Sequence, residues 1–391
     1  MPTQRLSVTL GAFFLLLCSA TLGLRGQQRI DDDGQDVINL VSRSQHYINM
    51  AADDGSYSLK QPDTPPDSLE SDPYAQYIYQ QELELEDDLD LTGRGRQTII
   101  VGDIHGSLNG FDKFLKAVEF DRKRDVLILA GDIVAKGPRS LQVIDRAREL
   151  KARCVRGNHD DSVIRWKGFL DTLSSQQLKA LDSFRLDKIN ENDDDVDDDD
   201  DIDDDDDWEE QEDDEEWPSD PLDNISSGKG SRRPRIPSDL ERNPEHYELA
   251  RALNKEQYHY LRNCPLILSL PKELSVHKIP IHVVHAGIDP HRDILKQRPW
   301  VLINVRNLLK DGTPSRKKKK GQGWAKAFNK LHSRRSPAKR DFLVVYGHDA
   351  GRGLNIRKWS IGIDTGCVYG RELTGYIVET GMILSVPCSK I

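Results

Sequence analysis

The chain has 391 residues, 31% of them charged, and a formal net charge of −11, and this length allows one large domain or two ordinary ones. Its charge is uneven, because residues 191–216 carry 21 Asp and Glu and no Lys or Arg, which leaves the rest of the chain net basic. A net basic charge outside residues 191–216 favours binding of an anionic partner such as a phosphate ester, polyphosphate or nucleic acid. The four cysteines beyond the N-terminal segment show no CxxC spacing, which argues against a zinc knuckle and a disulfide-stapled small domain, although a bridge is allowed.

The N-terminus carries an apolar run at residues 6–24, which is 19 residues long, contains no charge and is flanked by Arg5 and Arg25. This length fits a bilayer span and also a cleavable secretory signal. We therefore predict a signal anchor or signal peptide over residues 1–28, and the sequence leaves the two alternatives open. Residues 29–95 are polar, acidic and proline-containing, which predicts a disordered acidic stalk.

Structured sequence is expected from residue 96, where short apolar runs begin to alternate with stretches of helical periodicity. The expected elements are a strand at 98–101, a helix with apolar positions 111, 114, 115 and 118, a strand at 125–130, a helix with apolar positions 143, 147 and 150, and a strand before residue 157. This alternation predicts an α/β layer fold. Helical sequence at 246–263 and further strands, among them those leading to HVVHAG, VVYGHD and GIDTGC, extend the domain to residue 390.

Two charged segments interrupt this pattern. Residues 190–237 contain the acidic run and cannot bury enough apolar surface to fold, which predicts a disordered acidic insertion within the domain. Residues 316–340 carry 11 Lys and Arg and no acidic residue. That basic segment is either a solvated loop or a surface that captures an anionic ligand, and the sequence does not decide between them.

Asp, Asn and His recur directly after the apolar β runs, in the motifs GDIHG, GDIVAKG, GNHD, HAG and YGHD. Glycine lets the backbone turn sharply at these points, and ligands bind at the carboxyl ends of the strands in open α/β sheets. One Asp-x-His motif would carry little weight, but five such loops in order indicate oxygen and nitrogen ligands that converge on one site.

The order and spacing of these motifs resemble the calcineurin-like metallophosphoesterases of the phosphoprotein phosphatase superfamily. Together with INVRNLLKDGTPS and GIDTGCVYG, they are most similar to the ApaH-like branch, whose fungal members include a vacuolar zinc-dependent endopolyphosphatase. The resemblance implies a four-layer fold, in which two mixed β-sheets pack as a sandwich with flanking helices. It also implies a metallophosphoesterase domain over residues 96–390.

The resemblance assigns site residues by position. It implies that Asp103 and His105 bind one metal ion, that Asn158, His285 and His348 bind a second, and that Asp132 bridges them. Two divalent ions would lower the pKa of a bridging water and hold the phosphoryl oxygens. Zinc is implied for the ions, while cobalt, manganese or magnesium would also suit mixed oxygen and nitrogen ligands. The resemblance makes His159 the general acid that protonates the leaving oxygen.

The stretch GDIVAKGPRS departs from the protein phosphatases of this superfamily at two positions. Ala135 stands where they carry an Asp that pairs with the catalytic His, and Lys136 replaces an Arg that grips phosphate. We therefore expect His159 to be oriented by another residue. Lys136, Arg139, Arg156 and Arg306 are the predicted phosphate contacts.

These replacements favour phosphoanhydrides over phosphoproteins as substrates. The leading hypothesis is an endopolyphosphatase that acts on inorganic polyphosphate, anchored to a membrane and facing the vacuole lumen, or else secreted. Alternatives are a hydrolase of dinucleoside polyphosphates or mRNA caps, a protein Ser/Thr phosphatase, and a non-catalytic polyanion- or cation-binding protein. The nucleotide alternative predicts an aromatic platform for a base, for which the candidates are Trp300, Trp324 and Trp359.

Overall fold

The computed structural model describes residues 74–83, 96–182, 236, 240, 243–335 and 342–390, and the backbone of two short strands at 27–30 and 36–39. The strands are β1 (Gln27–Ile30), β2 (Asp36–Asn39), β3 (Gln80–Glu82), β4 (Thr98–Val101), β5 (Val126–Leu129), β6 (Arg153–Cys154), β7 (Ile267–Leu270), β8 (Ile281–Val283), β9 (Asn307–Leu308), β10 (Pro314–Ser315), β11 (Gln322–Gly323), β12 (Leu343–Tyr346), β13 (Asn355–Ile356), β14 (Ser360–Gly362), β15 (Glu372–Ile377) and β16 (Met382–Pro387). The helices are α1 (Leu108–Ala117), α2 (Ser140–Glu149), α3 (Asn158–Asp171), α4 (Ser175–Asp182), α5 (Pro244–Ala252), α6 (Lys255–Arg262), α7 (Pro299–Asn304) and α8 (Trp324–Arg334). Two 3₁₀ turns lie at Ile294–Lys296 and Cys367–Tyr369.

Two large mixed sheets organise the domain. The first has the strand order β2-β1-β16-β15-β4-β5-β6, and the second has the order β13-β14-β12-β8-β7-β3. In the first sheet β4, β5 and β6 run parallel, while β15 is antiparallel to both β4 and β16. In the second sheet β12 is parallel to β8 and β14, whereas β7 and β8 are antiparallel. A small three-stranded sheet, β10-β9-β11, lies beside them.

The two large sheets pack face to face, because alternate residues of their strands are apolar on opposite faces. In β4, Ile100 belongs to the core between the sheets, while Ile99 and Val101 belong to the core under the helices. The second sheet does the same, with Val345 facing the first sheet and Val344 packing on the outer side. The resulting order of layers is helices, sheet, sheet and helices, as the family resemblance implied.

The outer layers are formed by helices with one apolar face. Phe111 and Phe114 of α1 are fully buried against the first sheet, and Trp166 of α3 is buried in the same core. On the other side, Phe328 of α8 packs in the core that covers the second sheet. The helical stretch predicted at 246–263 is two helices, because the Asn254 side chain accepts the amide of Gln257 and starts α6 there.

Residues 74–83 fall inside the predicted stalk but belong to the folded domain. Strand β3 pairs with β7 in parallel, and the Tyr79 hydroxyl donates to the Gln297 carbonyl at 2.8 Å. Leu83 is buried between the two sheets. Strands β1 and β2 also lie within residues 27–39, and β1 pairs with β16. The predicted boundary at residue 96 is therefore corrected, because the pairing of β3 with β7 and the buried Leu83 hold residues 74–83 to the second sheet.

The N-terminal apolar run and the acidic insertion lie outside the described residues, apart from Ile236, which packs against the helical core. Among the helices that the structure describes, none combines the length and the apolar character needed to cross a bilayer.

Two disulfides connect elements around the first sheet. Cys154 at the end of β6 is bonded to Cys264, which follows α6, across a sequence separation of 110 residues. Cys367 is bonded to Cys388 and ties the turn after β14 to the end of β16. The sequence allowed such bridges but did not predict the pairing, because the partners come together only through the strand order.

Candidate metal centre

The six side chains predicted as metal ligands meet at one edge of the sandwich, where the strands that precede them end. Asp103 and His105 follow β4, Asp132 follows β5, Asn158 begins α3 after β6, His285 follows β8, and His348 follows β12. The structure thus brings together six residues spread over almost 250 positions of the chain.

Asp132 occupies the middle of this cluster. Its Oδ2 atom is 3.4 Å from Nε2 of His105 and 3.3 Å from Nε2 of His285. Ligand atoms of His105, Asp132 and His159 lie within 4.8 Å of one another, and so do those of Asp132, His285 and His348. A carboxylate shared by two such groups has the position that a ligand bridging two cations requires.

Asn158 and Asp103 extend the two groups. The Asn158 Oδ1 atom is 3.0 Å from Nε2 of His285 and 3.1 Å from Nδ1 of His348. Asp103 accepts the backbone N–H of His348 at 3.0 Å, and its Oδ2 atom is 4.0 Å from Nε2 of His105. Both ligand groups are therefore linked by direct contacts within one cluster.

Backbone carbonyls orient the three histidines. The Ala130 carbonyl lies 2.9 Å from Nδ1 of His285, and the Val134 carbonyl lies 3.1 Å from Nδ1 of His105. For His348 the arrangement is reversed, with the Asn304 carbonyl 3.2 Å from Nε2. A carbonyl can only accept, so in each neutral ring the other nitrogen presents a lone pair to the cluster.

Those lone pairs face the oxygen atoms of Asp132 and Asn158, which are themselves acceptors. With neutral rings, nitrogen and oxygen acceptors converge here at 3.0–3.4 Å, an arrangement that a cation between them would satisfy, and metal-bound histidines commonly donate their second ring N–H to a carbonyl. The residues therefore fit a pair of divalent metal ions, as predicted for this site.

The electrostatics of the cluster also favour cations. Burial, together with the neighbouring Asp364 and Asp132, raises the pKa of Asp103 well above its usual value. Burial lowers the pKa of His105 to about 4 and that of His348 well below its usual value, which keeps these rings neutral. Burial opposes the charge on Asp132, but the attraction of His285 outweighs it and lowers the pKa of that carboxyl. Burial likewise opposes a charge on His285, but Asp132 outweighs it and raises the pKa of that ring. The neutral rings of His105 and His348 and the ionised Asp132 are suitable ligands for a divalent ion.

Three ligand positions have backbone conformations that side chains seldom adopt. The φ angles are 46° for His105, 47° for Asp132 and 71° for His348. Such left-handed conformations cost about 1–3 kcal/mol each and persist where the surroundings enforce them. Gly347 allows the close approach, since a Cβ atom there would lie 1.9 Å from Oδ1 of Asp103. Strain concentrated at these positions is typical of a functional site.

A basic pocket opens onto the cluster. Its walls include three cationic side chains (Lys136, Arg306 and Lys318), together with His159, Asp349, Asp364 and Tyr369. Lys318 comes from the basic segment, whose backbone is fixed here because the Asn307 side chain donates to the carbonyls of Lys317 and Lys318. One residue of the segment thus lines the pocket, which favours anion capture at this point.

Two of the four predicted phosphate contacts reach the pocket, namely Lys136 and Arg306. Arg139 is exposed and donates to the Asn109 side chain at 2.9 Å, outside the pocket walls. Arg156 is fully buried and donates to the carbonyls of Ala75 and Arg262 at 2.7 and 2.8 Å. We therefore remove Arg139 and Arg156 from the set of phosphate contacts.

Arg156 has a structural task instead, since its guanidinium also lies 3.2 Å from the buried carboxylate of Asp161. Replacing Arg156 by Met is expected to lower the free energy of unfolding by about 3–5 kcal/mol, because Asp161 loses its buried partner. Urea denaturation measures this loss, and Arg139→Met is the matched control at an exposed arginine. Unchanged stability with a raised KM would restore Arg156 as a substrate contact.

The structure reveals four further residues around the site. Asp364 follows β14 in the motif GIDTGC, is buried and lines the pocket. Tyr369 accepts a hydrogen bond from Nζ of Lys136 at 2.9 Å. The Asp160 carboxylate accepts hydrogen bonds from the backbone N–H groups of residues 133, 134 and 157, at 2.9–3.2 Å. These bonds connect the loop that follows Asp132 to the residue before Asn158. Nε2 of His246 lies 2.8 Å from Nδ1 of His159.

The three tryptophans proposed as a base platform do not line this pocket. Trp324 and Trp359 are buried in the core behind the second sheet. Trp300 is 43% exposed, on α7. Tyr369 is the aromatic residue among the described pocket walls that could stack on a base, besides the three histidines.

Comparison with known proteins agrees with this geometry. Residues 97–236 match the family model described as calcineurin-like phosphoesterase. Over 63 residues the chain is 49% identical to the symmetrical bis(5′-nucleosyl)-tetraphosphatase of Colwellia psychrerythraea, which is 16% of this chain and 22% of that protein. It is 46% identical over 65 residues to the same enzyme of Klebsiella pneumoniae, covering 16% of this chain and 23% of that protein. The matched segments thus span less than a quarter of these relatives.

A crystal structure assigned provisionally to a diadenosine tetraphosphatase aligns with 80% of this chain and 99% of that one, at 26% identity and a TM-score of 0.49. The ligand cluster and the family match over residues 97–236 together indicate a metallophosphoesterase domain. The chain carries a calcineurin-like metallophosphoesterase domain, and its sequence relatives belong to the ApaH-like branch.

Proposed function

We propose that this protein is a metal-dependent phosphohydrolase that cleaves phosphoanhydride bonds. The observation that supports it most is the convergence of histidine nitrogens and carboxylate or amide oxygens at Asp132, beneath a basic pocket. Such a site can hold two cations and present positive side chains to a phosphate group.

The proposed ligands are Asp103, His105 and Asp132 for one ion, and Asp132, Asn158, His285 and His348 for the other. When bound, two divalent ions supply Lewis acidity and a hydroxide-like nucleophile near neutral pH. Zinc, cobalt, manganese and magnesium are the ions to compare, because the ligand set mixes oxygen and nitrogen donors.

The side chains around the ions would perform the remaining tasks. Lys136, Arg306 and Lys318 face the pocket and would hold the phosphate oxygens of the substrate. Nδ1 of His159 is engaged by His246, which leaves Nε2 to donate a proton to the leaving oxygen. The His159 backbone N–H donates to Oδ1 of Asp132 at 3.0 Å and fixes the ring beside the ligand cluster.

Dinucleoside polyphosphates are the first substrate class that we propose. The support is the similarity to proteins named as symmetrical bis(5′-nucleosyl)-tetraphosphatases. Tyr369 is the described side chain positioned to contact a nucleobase at the pocket.

Inorganic polyphosphate is the second candidate. It is favoured by Lys318 at the pocket and by the further cations of the basic segment at positions 316, 317, 319 and 320. The burial of Trp324 and Trp359 also favours a substrate that lacks a base. A protein phosphatase activity ranks third, because Ala135 and Lys136 replace the residues that phosphoprotein phosphatases use.

A comparison of rates ranks these candidates. Purified protein is incubated with diadenosine tetraphosphate, long-chain polyphosphate and a phosphopeptide in the presence of each metal, and released phosphate or nucleotide is quantified. We expect cleavage of at least one phosphoanhydride and little action on the peptide. A preference for the phosphopeptide, or no turnover of either anhydride, would contradict the proposal.

We further propose that residues 1–28 deliver the domain to the lumen of the secretory pathway, with the vacuole as destination and the membrane as partner. The two disulfides support an oxidising compartment. Protease protection in sealed vesicles, with N-terminal sequencing, separates an anchored protein from one with a cleaved signal. A domain that protease degrades without detergent would contradict luminal placement.

A further inference from the structure

The His159 ring contacts the ring of a second histidine that does not face the pocket. Nδ1 of His159 lies 2.8 Å from Nε2 of His246, and the two ring planes are inclined by 62°. His246 is fully buried, whereas His159 is partly exposed at the pocket wall. At this distance the two nitrogens share one proton, so one ring donates and the other accepts.

The position of His246 is fixed by the start of α5. The Asn243 side chain accepts the amide N–H groups of Glu245 and His246, which holds the first turn of this helix. Helix α5 packs on α3, the helix that carries His159, and the rings of Tyr247 and Trp166 meet at 5.4 Å between centroids. The packing of α5 on α3 therefore holds the rings of His246 and His159 in contact.

The same helix also contacts the loop at the phosphate-binding side of the site. The Glu245 carboxylate, whose pKa is raised by partial burial, accepts a hydrogen bond from the backbone N–H of Lys136. Ala135 and Lys136 have φ angles of 70° and 64°, a conformation that needs support from its surroundings. The first turn of α5 thus touches both the Lys136 backbone and the His159 ring.

We propose that His246 is a positioning residue for His159, an inference that rests on the proposed phosphohydrolase function. His159 donates Nδ1–H to Nε2 of His246, and this bond directs Nε2 of His159 into the pocket. Before the reaction Nε2 of His159 takes up a second proton from solvent; the ring then gives this proton to the leaving oxygen and returns to the neutral form that keeps Nδ1–H on His246. The imidazole of His246 thus orients His159, which Ala135, with no polar side-chain atom, cannot do.

Three variants test the role of the hydrogen bond. His246→Phe keeps a buried ring but removes its nitrogen atoms, and kcat is expected to fall by up to about 100-fold with KM little changed. His246→Gln can accept the bond through its amide oxygen, so it is expected to recover most of kcat. His282→Phe is the matched control, because His282 is also buried and hydrogen-bonded, to Ser269 at 2.9 Å, but lies away from the pocket. If His246→Phe does not fold, His246→Met replaces it in the same comparison.

A double-mutant cycle with His159→Ala separates positioning from general stability. If His246 acts only through His159, adding His246→Phe to His159→Ala changes kcat by less than about twofold. Full additivity of the two losses, or a His246→Phe enzyme as fast as wild type, would overturn the proposal. An inactive wild-type protein would instead refute the phosphohydrolase function, so the two failures are distinguishable.

Discussion

Replacing Asp132 by Asn is expected to abolish measurable phosphoanhydride hydrolysis while the chain stays folded. Asp132 has histidine nitrogens at 3.4 and 3.3 Å on two sides, and an amide offers only one neutral oxygen to serve both cations. Loss of a residue that merely supports a metal ligand costs roughly 10–100-fold, so loss of the shared ligand should exceed about 100-fold. Phosphate release and metal content per chain, measured on the same sample, report the effect.

The control for this variant is Asp112→Asn. Asp112 is an exposed carboxylate that pairs with Arg146 at 3.0 Å on the surface, so its removal should change neither activity nor metal content. An Asp132→Asn protein that retains full activity would contradict the assignment of the metal centre. Loss of activity with both metal ions retained would argue against the bridging role.

Replacing His159 by Ala is expected to lower kcat by about 10²–10⁴-fold, the usual contribution of a general acid. His159 lines the pocket, and its Nδ1 atom is engaged by His246, so Nε2 is the nitrogen available to the leaving oxygen. Metal content should stay near that of the wild type, because the proposed ligand set does not require this ring. Steady-state kinetics with metal analysis distinguish loss of the acid from loss of the ions.

His259→Ala serves as the surface control, since His259 is exposed on α6 and contacts only Asn263 among the hydrogen bonds described for it. Its rate should equal that of the wild type. If His159→Ala loses one metal ion along with its activity, His159 is a metal ligand rather than the general acid. This outcome has to be tested because ligand atoms of His159, His105 and Asp132 lie within 4.8 Å of one another.

The ligand cluster could be predicted from the sequence because each ligand sits in a short motif directly after an apolar strand. GDIHG, GDIV, GNHD, HAG and YGHD each place one or two donors at a strand end, and the sheets bring these ends together. The layer order was predictable from the same motifs, because the family that they resemble has a four-layer fold. Asp364 lies in the motif GIDTGC, but nothing in that motif distinguishes a site residue from a structural aspartate.

The remaining residues depend on tertiary contacts that leave no local pattern. His246 lies beyond both the acidic insertion and the matched segment, on a helix whose packing on α3 only the fold reveals. Arg156 stands beside GNHD and was assigned to phosphate by that proximity. It points instead into the layer behind the site, where residue 75 supplies a carbonyl partner. Residues 74–83 belong to the fold because β3 pairs with β7. A polar strand of three residues has no hydrophobic pattern from which this pairing could be predicted.

The central claim is that hydrolysis depends on two ions held at Asp132. The most direct test is to strip the protein of metal, add back zinc, cobalt, manganese or magnesium in steps, and follow cleavage of diadenosine tetraphosphate and polyphosphate. We predict that the metal-free protein is inactive and that at least one ion restores turnover, with activity saturating near two ions bound per chain. Full activity of the stripped protein, or no activity with any ion in a protein that remains folded, would contradict this account.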